Sequence, residues 1–70
     1  MSDHVYSVSE IVGTSPDTIE DAIRTALARA SKTLRNLDWF EVIETRGHID
    51  SGGEIDHFQV TLKLGFRMED

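Results

Sequence analysis

The chain has 70 residues, enough for one domain, and a domain of this size buries only about 60% of the surface that its unfolded chain exposes. It has no cysteine, which excludes disulfides, thiolate metal sites and cysteine nucleophiles and leaves oligomerisation as the expected source of extra stability. With 7 Lys and Arg against 13 Asp and Glu, the formal net charge of -6 opposes nucleic-acid binding, although one phosphorylated small molecule needs only one or two cations.

The N-terminal residues from Met1 to His4 contain no basic region, and no apolar run follows them. We therefore expect neither a signal peptide nor a membrane span, and a cytoplasmic location. No linker, repeat or low-complexity segment interrupts the chain, so residues 1–70 are expected to form one domain.

The first element is a strand from Val5 to Gly13, rich in Val and Ile, and a helix-start signal follows it. Ser15 is the predicted N-cap and Pro16 the predicted first helical residue. The helix has a single apolar stripe with spacings of three and four residues: Ile19, Ala22, Ile23, Ala26, Leu27, Ala30, Leu34 and Leu37. Acidic residues near its start and basic residues near its end suit the helix dipole.

A β-hairpin is predicted next, with arms from about Asp38 to Asp50 and from Glu54 to Glu69 and a two-residue turn at Gly52-Gly53. The second arm alternates strictly between apolar and polar residues, so its apolar face is expected to pack on the helix: Phe58, Val60, Leu62, Leu64, Phe66 and Met68.

The first arm changes parity between Val42 and Ile43. Phe40 and Val42 suit the core before that point, whereas Ile43 and Ile49 suit it afterwards. One extra residue in a strand produces this change, so we predict a β-bulge near residues 41–43. The predicted register then places Arg46 opposite Gln59 and Glu44 opposite Thr61 across the hairpin.

These elements predict an α+β fold of order β-α-β-β, in which a three-stranded antiparallel sheet curls round one helix and the last strand lies between the other two. The far face of the sheet should carry polar residues and one tryptophan, namely Trp39, Glu41, Glu44, Arg46, Gln59, Thr61, Lys63 and Arg67.

Trp39 is the main candidate for a binding residue, because a large aromatic on an uncovered sheet face usually contacts something. An oligomer interface or a misjudged core position would also explain it. An indole with the Gln59 amide and the Arg46 guanidinium offers a stacking surface, a hydrogen-bonding edge and a phosphate fork. Flavin mononucleotide (FMN) is one of the few ligands that use all three.

Other chemistry has weaker support. The loop from Gly13 to Ser15 precedes a helix, but Pro16 removes an amide donor and the first turns are acidic, so we assign the loop a structural role rather than phosphate binding. A metal site could involve His4, His48, His57, Asp50 and Asp56, with His48 expected across the hairpin from His57, yet no spacing fixes a third ligand, so we assign these residues to the solvated surface. No nucleophile elbow or enforced carboxylate pair indicates an enzyme.

Several segments together resemble the dodecin family, in the same order and at matching separations from about Val5 to Glu69. They are Gly13-Thr14-Ser15-Pro16, Arg29-Ala30, residues 32–37 (KTLRNL), Trp39-Phe40-Glu41-Val42, Arg46-Gly47 and residues 58–67 (FQVTLKLGFR).

The resemblance implies a βαββ subunit, a hollow homododecamer, and flavins bound in pairs at subunit contacts. It implies that Trp39 of each of two subunits sandwiches two stacked isoalloxazine rings, that Gln59 hydrogen-bonds the ring edge, and that Arg46 binds the FMN phosphate. Some dodecins also bind coenzyme A through basic residues, which here could include Arg67. The implied role is storage and quenching of flavin without turnover. There are two alternatives. One is a ligand-free oligomeric scaffold in which Trp39 joins subunits. The other is a flavin-dependent enzyme, which is disfavoured because a sandwiched ring has no open face for a substrate.

Overall fold

Three strands and one helix follow one another in the predicted order β-α-β-β. The structure, a computed structural model, describes residues 3–69, so the expectation for the N-terminus falls partly on Met1 and Ser2, which lie outside the described residues. The elements are β1 (Tyr6–Ser15), α1 (Ile19–Ala30), β2 (Leu37–Ile49) and β3 (Ile55–Arg67).

The sheet has the strand order β1-β3-β2, with β3 antiparallel to both neighbours. This confirms the predicted central position of the last strand. Helix α1 returns the chain along one face of the sheet, so β1 and β2 run in the same direction on either side of β3.

The helix begins three residues later than the sequence predicts. Its N-cap is Thr18, whose hydroxyl accepts a hydrogen bond from the Asp21 amide at 2.9 Å. Ser15 instead ends β1, is 2% exposed, accepts a hydrogen bond from the Asp17 amide at 2.9 Å and donates one to the Asp21 carboxylate at 2.8 Å. Both residues are good capping types, and Pro16 lies in the connection rather than in the helix. Residues 13–15, predicted as a loop, are the paired end of β1, and residues 16–18 connect that strand to the helix.

The helix also ends earlier than its apolar stripe suggests. Its C-cap is Ser31, so Leu34 lies in the connection and Leu37 begins β2. Asn36 has a positive φ of 63°, which turns the chain into that strand. The stripe remains apolar past Ala30 because both leucines still pack against the core, although outside the helix.

The buried core lies between α1 and the two strands β1 and β3. Its fully or nearly buried members are Ala22, Ala26, Ala30, Val60, Leu62 and Leu64. Small helix residues allow a close approach to the sheet, and a Cβ built on Gly13 would overlap the Ala22 carbonyl oxygen and lie 2.8 Å from the Ala26 Cβ. Glycine is therefore needed at position 13 for this packing.

Strand β2 is not covered by the helix. Phe40 lies opposite Leu64 and Val42 opposite Leu62, so both have the predicted facing, but they are 47% and 43% exposed. Ile43 and Ile49 are likewise exposed. The expectation that these four side chains join the core is wrong for the single chain, because a helix of 12 residues packed on β1 and β3 does not reach the edge strand.

The hairpin register confirms the predicted pairs Arg46 with Gln59 and Glu44 with Thr61. The β-bulge is also confirmed, since Val42 pairs with Leu62 and Glu44 with Thr61, leaving Ile43 as the extra residue. A further irregularity lies between Leu37 and Trp39.

The turn differs from the prediction. The Asp50 amide donates to the Glu54 carbonyl at 2.8 Å, so residues 51–53 form a three-residue loop, with Gly53 at a φ of +83°. The register survives because β3 contains one unpaired residue, Asp56, between the pairs His48–His57 and Ile49–Ile55. The extra residue in the loop shifts the pairing by one position, and the unpaired Asp56 shifts it back, so the pairs from His48–His57 onwards are those predicted.

Candidate functional site

The side of the sheet opposite the helix, called here the outer face, is covered by no second layer within residues 3–69. Alternation along β3 places Gln59, Thr61, Lys63 and Gly65 on this face, because Val60, Leu62 and Leu64 between them are buried against the helix. Cross-strand pairing adds the β2 residues Trp39, Glu41, Glu44, Arg46 and His48. Every predicted site residue on β2 and β3 therefore has the predicted facing.

Trp39 pairs with Gly65 across the hairpin and its indole lies directly over that glycine. A Cβ at position 65 would overlap the indole ring atoms Cε2, Cζ2 and Nε1, so the absence of a side chain there provides the space in which the ring lies against the sheet. Trp39 remains 41% exposed. The indole is thus supported on one side by the backbone at Gly65, and its exposed part is available for contact with a ligand or another subunit.

Arg46 and Gln59 are brought together as direct cross-strand neighbours. The Arg46 guanidinium forms an ion pair with the Glu44 carboxylate at 2.7 Å, and this hydrogen bond and the adjacent negative charge raise the pKa of Arg46 above its usual value. The arginine is therefore always cationic and is oriented along the outer face. About half of each side chain is exposed, which leaves guanidinium N–H groups accessible to an anion.

Gln59 has a partner that the sequence analysis did not assign to the site. Its amide oxygen Oε1 lies 3.0 Å from Nε2 of His48, and the His48 ring stacks on the His57 ring with centroids 4.2 Å apart. The pairing of His48 with His57 was expected from the register, but only as part of a weak metal candidate. Proximity to Gln59 on the same face was the available signal.

The structure does not place Trp39 beside Arg46 and Gln59 in one chain. Trp39 is level with Gly65, whereas Arg46 is level with Gln59, six residues away along β3. At about 3.3 Å per residue the two groups are roughly 20 Å apart. The expectation that Trp39 lies beside Arg46 and Gln59 is therefore wrong within one chain, because a shared face does not fix the separation along the strand.

Arg67 lies at the Trp39 end of the sheet and pairs with Tyr6 of β1. There the Tyr6 hydroxyl donates to the Asp38 carboxylate at 2.9 Å, and this bond, with smaller effects of desolvation and of the Asp38 charge, raises the pKa of Tyr6. Arg67 also lines an open polar groove of about 210 Å³ with Asn36, Leu37 and Asp38. This end of the sheet combines a cation, a carboxylate and a phenol.

No group of three or more His, Asp or Glu side chains comes together within residues 3–69 in a way that could hold a metal ion. His57 Nδ1 contacts its neighbour Asp56 at 2.5 Å, and His48 contacts Gln59. Across those same residues no helix is both long and apolar enough to cross a bilayer.

The fold and the outer face define a small βαββ protein whose uncovered sheet face carries an aromatic side chain, an amide and cationic groups that suit a small-molecule ligand. Comparison with known proteins specifies this further. The family described as Dodecin matches residues 5–69. A dodecin of Thermus thermophilus is 56% identical over 66 residues, covering 94% of each chain. The chain belongs to the dodecin family.

Solved structures agree. A dodecin from Streptomyces coelicolor has 58% identity and a TM-score of 0.92, covering 100% of this chain and 99% of its own. A dodecin from Streptomyces davaonensis has 55% identity and a TM-score of 0.93, covering 99% and 100%. A more distant structure, described as a calcium-chelating antigen and calcium dodecin from Mycobacterium tuberculosis with a novel calcium-binding site, has 35% identity and a TM-score of 0.81, covering 93% and 91%.

Proposed function

We propose that this protein binds flavin, preferably FMN, and stores it in a photochemically quenched form without turning it over. The observation that carries the proposal is the position of Trp39, whose indole lies over Gly65 on a sheet face that no other element within residues 3–69 covers. A supported and exposed indole is a stacking surface for a heteroaromatic ring. Stacked against it, an excited flavin would lose its energy by electron transfer from the indole.

The site is completed by a second subunit. Trp39 is about 20 Å from Arg46 and Gln59 within a chain, farther than three fused six-membered rings extend. A ring that stacks on Trp39 and meets Gln59 must therefore take these residues from different subunits. A second observation also points to a protein partner. Phe40 and Val42 lie on the helix-side face of β2 and are exposed, and apolar side chains that are exposed together usually mark an interface. We propose that copies of this chain form the homododecamer typical of dodecins.

Arg46 is the proposed phosphate ligand and the basis of a preference for FMN over riboflavin. Its ion pair with Glu44 holds the guanidinium on the outer face, close to Gln59. A phosphate carries more charge than a carboxylate and competes for the free N–H groups. Coenzyme A is a further proposed ligand, for which Arg67 beside its polar groove is the candidate contact.

The proposed role is that of a cytoplasmic binding protein and not of an enzyme. A ring that is stacked between one indole and a second flavin offers no face to a substrate. The formal net charge of -6 disfavours nucleic acid and anionic membranes as partners. The calcium-binding site named for the Mycobacterium tuberculosis relative is not part of this proposal.

A fluorescence titration tests the proposal. Flavin-stripped protein is added to FMN and, separately, to riboflavin, and flavin emission is followed. We expect saturating quenching near one flavin per chain. Trp39→Ala should weaken binding by about tenfold to a hundredfold, from a stacking contribution of ~1–3 kcal/mol. Emission that does not change at micromolar protein would refute flavin binding and favour the ligand-free scaffold.

The phosphate contact has a matched control. Arg46→Ala should weaken FMN binding by roughly tenfold or more and leave riboflavin binding unchanged, since a charge-assisted hydrogen bond contributes ~1.5–3 kcal/mol. Arg24→Ala removes an arginine that makes an equally short ion pair, 2.7 Å to Glu20, on the helix. Equal losses for the two variants would mean that net charge, and not a phosphate contact, sets the affinity.

A further inference from the structure

We infer that His48 is a positioning residue for flavin recognition: it fixes the orientation of the Gln59 carboxamide and so determines which end of the amide faces the ligand. The two side chains meet on the outer face, with His48 Nε2 3.0 Å from Gln59 Oε1. The inference rests on the proposed flavin function and extends it to a residue that does not itself touch the ring.

A glutamine amide has two ends of nearly equal size and opposite polarity, and its rotation by 180° exchanges a hydrogen-bond acceptor for two donors. An imidazole with its hydrogen on Nε2 donates to Oε1 and disfavours the flipped arrangement, in which two donors would meet. The amide NH₂ of Gln59 is then directed away from His48. It can donate to the carbonyl oxygens and ring nitrogens along the edge of an isoalloxazine.

His48 is itself held in place by its neighbours on β3. Its ring lies almost parallel to that of His57, at 17° with 4.2 Å between centroids. His57 in turn contacts the Asp56 carboxylate through Nδ1 at 2.5 Å. Donation from Nδ1 to a carboxylate fixes the plane of the His57 ring, and stacking passes that constraint to His48. The series Asp56, His57, His48 and Gln59 orients one amide on an otherwise exposed surface.

Preorganisation of this kind affects affinity by removing the cost of ordering a side chain on binding. His48→Phe keeps an aromatic ring for stacking on His57 and removes the nitrogen that contacts Gln59. We expect it to weaken FMN and riboflavin binding by the same factor, about threefold to tenfold, the range for one neutral hydrogen bond of ~0.5–1.5 kcal/mol. An equal loss of affinity for FMN and for riboflavin distinguishes His48→Phe from Arg46→Ala, which should weaken FMN binding alone. His4→Phe is the control for a general effect of losing a histidine.

The decisive experiment is a double-mutant cycle with Gln59→Leu, measured by FMN and riboflavin quenching on assemblies checked by size-exclusion chromatography. If His48 acts through Gln59, then His48→Phe has no further effect in the Gln59→Leu background. His48→Gln, which restores an N–H donor of similar reach, should recover part of the affinity.

Two results would overturn the inference while leaving flavin binding intact. One is a His48→Phe protein that binds FMN like the wild type. The other is a loss that is equally large with and without the Gln59 amide, which would place the effect of His48 elsewhere, for instance in assembly. Failure of the wild-type protein to quench FMN would refute the proposed function as well as this inference.

Discussion

Replacement of Gly65 by alanine tests the support beneath Trp39. The new Cβ would occupy the position of the indole ring, which must therefore leave the sheet surface. Because Trp39 is 41% exposed, more than half of its surface is covered at present. A tryptophan has up to about 250 Å² to bury, so re-exposure of the covered part would cost at most ~3.7 kcal/mol at about 25 cal/mol per Å². Partial re-exposure should cost about 1–2 kcal/mol.

Trp39 is the only tryptophan in the chain, so its emission reports this site alone. We expect Gly65→Ala to shift the emission maximum to longer wavelength and to lower the midpoint of thermal unfolding by roughly 4–16 °C, from about 4–8 °C per kcal/mol for a small domain. Flavin quenching should weaken in the same variant. An unchanged emission maximum together with an unchanged unfolding midpoint would refute the role assigned to Gly65.

Three further changes are expected to have measurable effects. Gly13→Ala should lower the free energy of chemical unfolding by about 2–3 kcal/mol, more than Gly65→Ala, because its Cβ meets the Ala22 backbone oxygen rather than a movable side chain. An effect equal to that of Gly65→Ala would contradict the tight helix contact. Gly53→Ala should cost about 1 kcal/mol in the same assay, since φ is +83° there, and a neutral outcome would contradict that geometry. Tyr6, the only tyrosine, should ionise above its ordinary pKa of 10.0 in an ultraviolet titration, chiefly because it donates to Asp38. Since the raised folded pKa favours the neutral phenol, this contact stabilises the fold below pH 10.0 and is lost as pH rises through the folded pKa, whereas Asp38→Ala should bring the titration back towards the ordinary value.

The facing of the residues on the hairpin strands could be predicted because it depends on local alternation, whereas the predicted register is correct only because the third loop residue and the unpaired Asp56 compensate for each other. The run from Phe58 to Arg67 fixes the two faces of β3, and the adjacent pair Val42 and Ile43 requires one extra residue in β2. Both signals lie within a few residues of the feature that they specify. The same alternation predicted correctly that Trp39 lies on the outer face.

Features that depend on the separation or coverage of elements could not be predicted in this way. Alternation gives the side of the sheet but not the distance along it, so Trp39 was treated as a neighbour of Gln59. The apolar character of Phe40 indicates burial but does not say whether the same chain or another copy provides it. Ser15 and Thr18 are both capping residues, and only the packing of Ser15 at the end of β1 decides between them.

The tip of the hairpin contains two single-residue irregularities of opposite effect, the third residue of the loop 51–53 and the unpaired Asp56. Together they make the hairpin tolerant of a change in length. A chain lacking one residue there could lose either the third loop residue or the unpaired residue of β3 while keeping the other, and the pairs from His48–His57 to Trp39–Gly65 would keep their present register. The loop can therefore vary by one residue over evolution, or in an engineered variant, without moving Arg46 or Gln59 to the wrong side of the sheet.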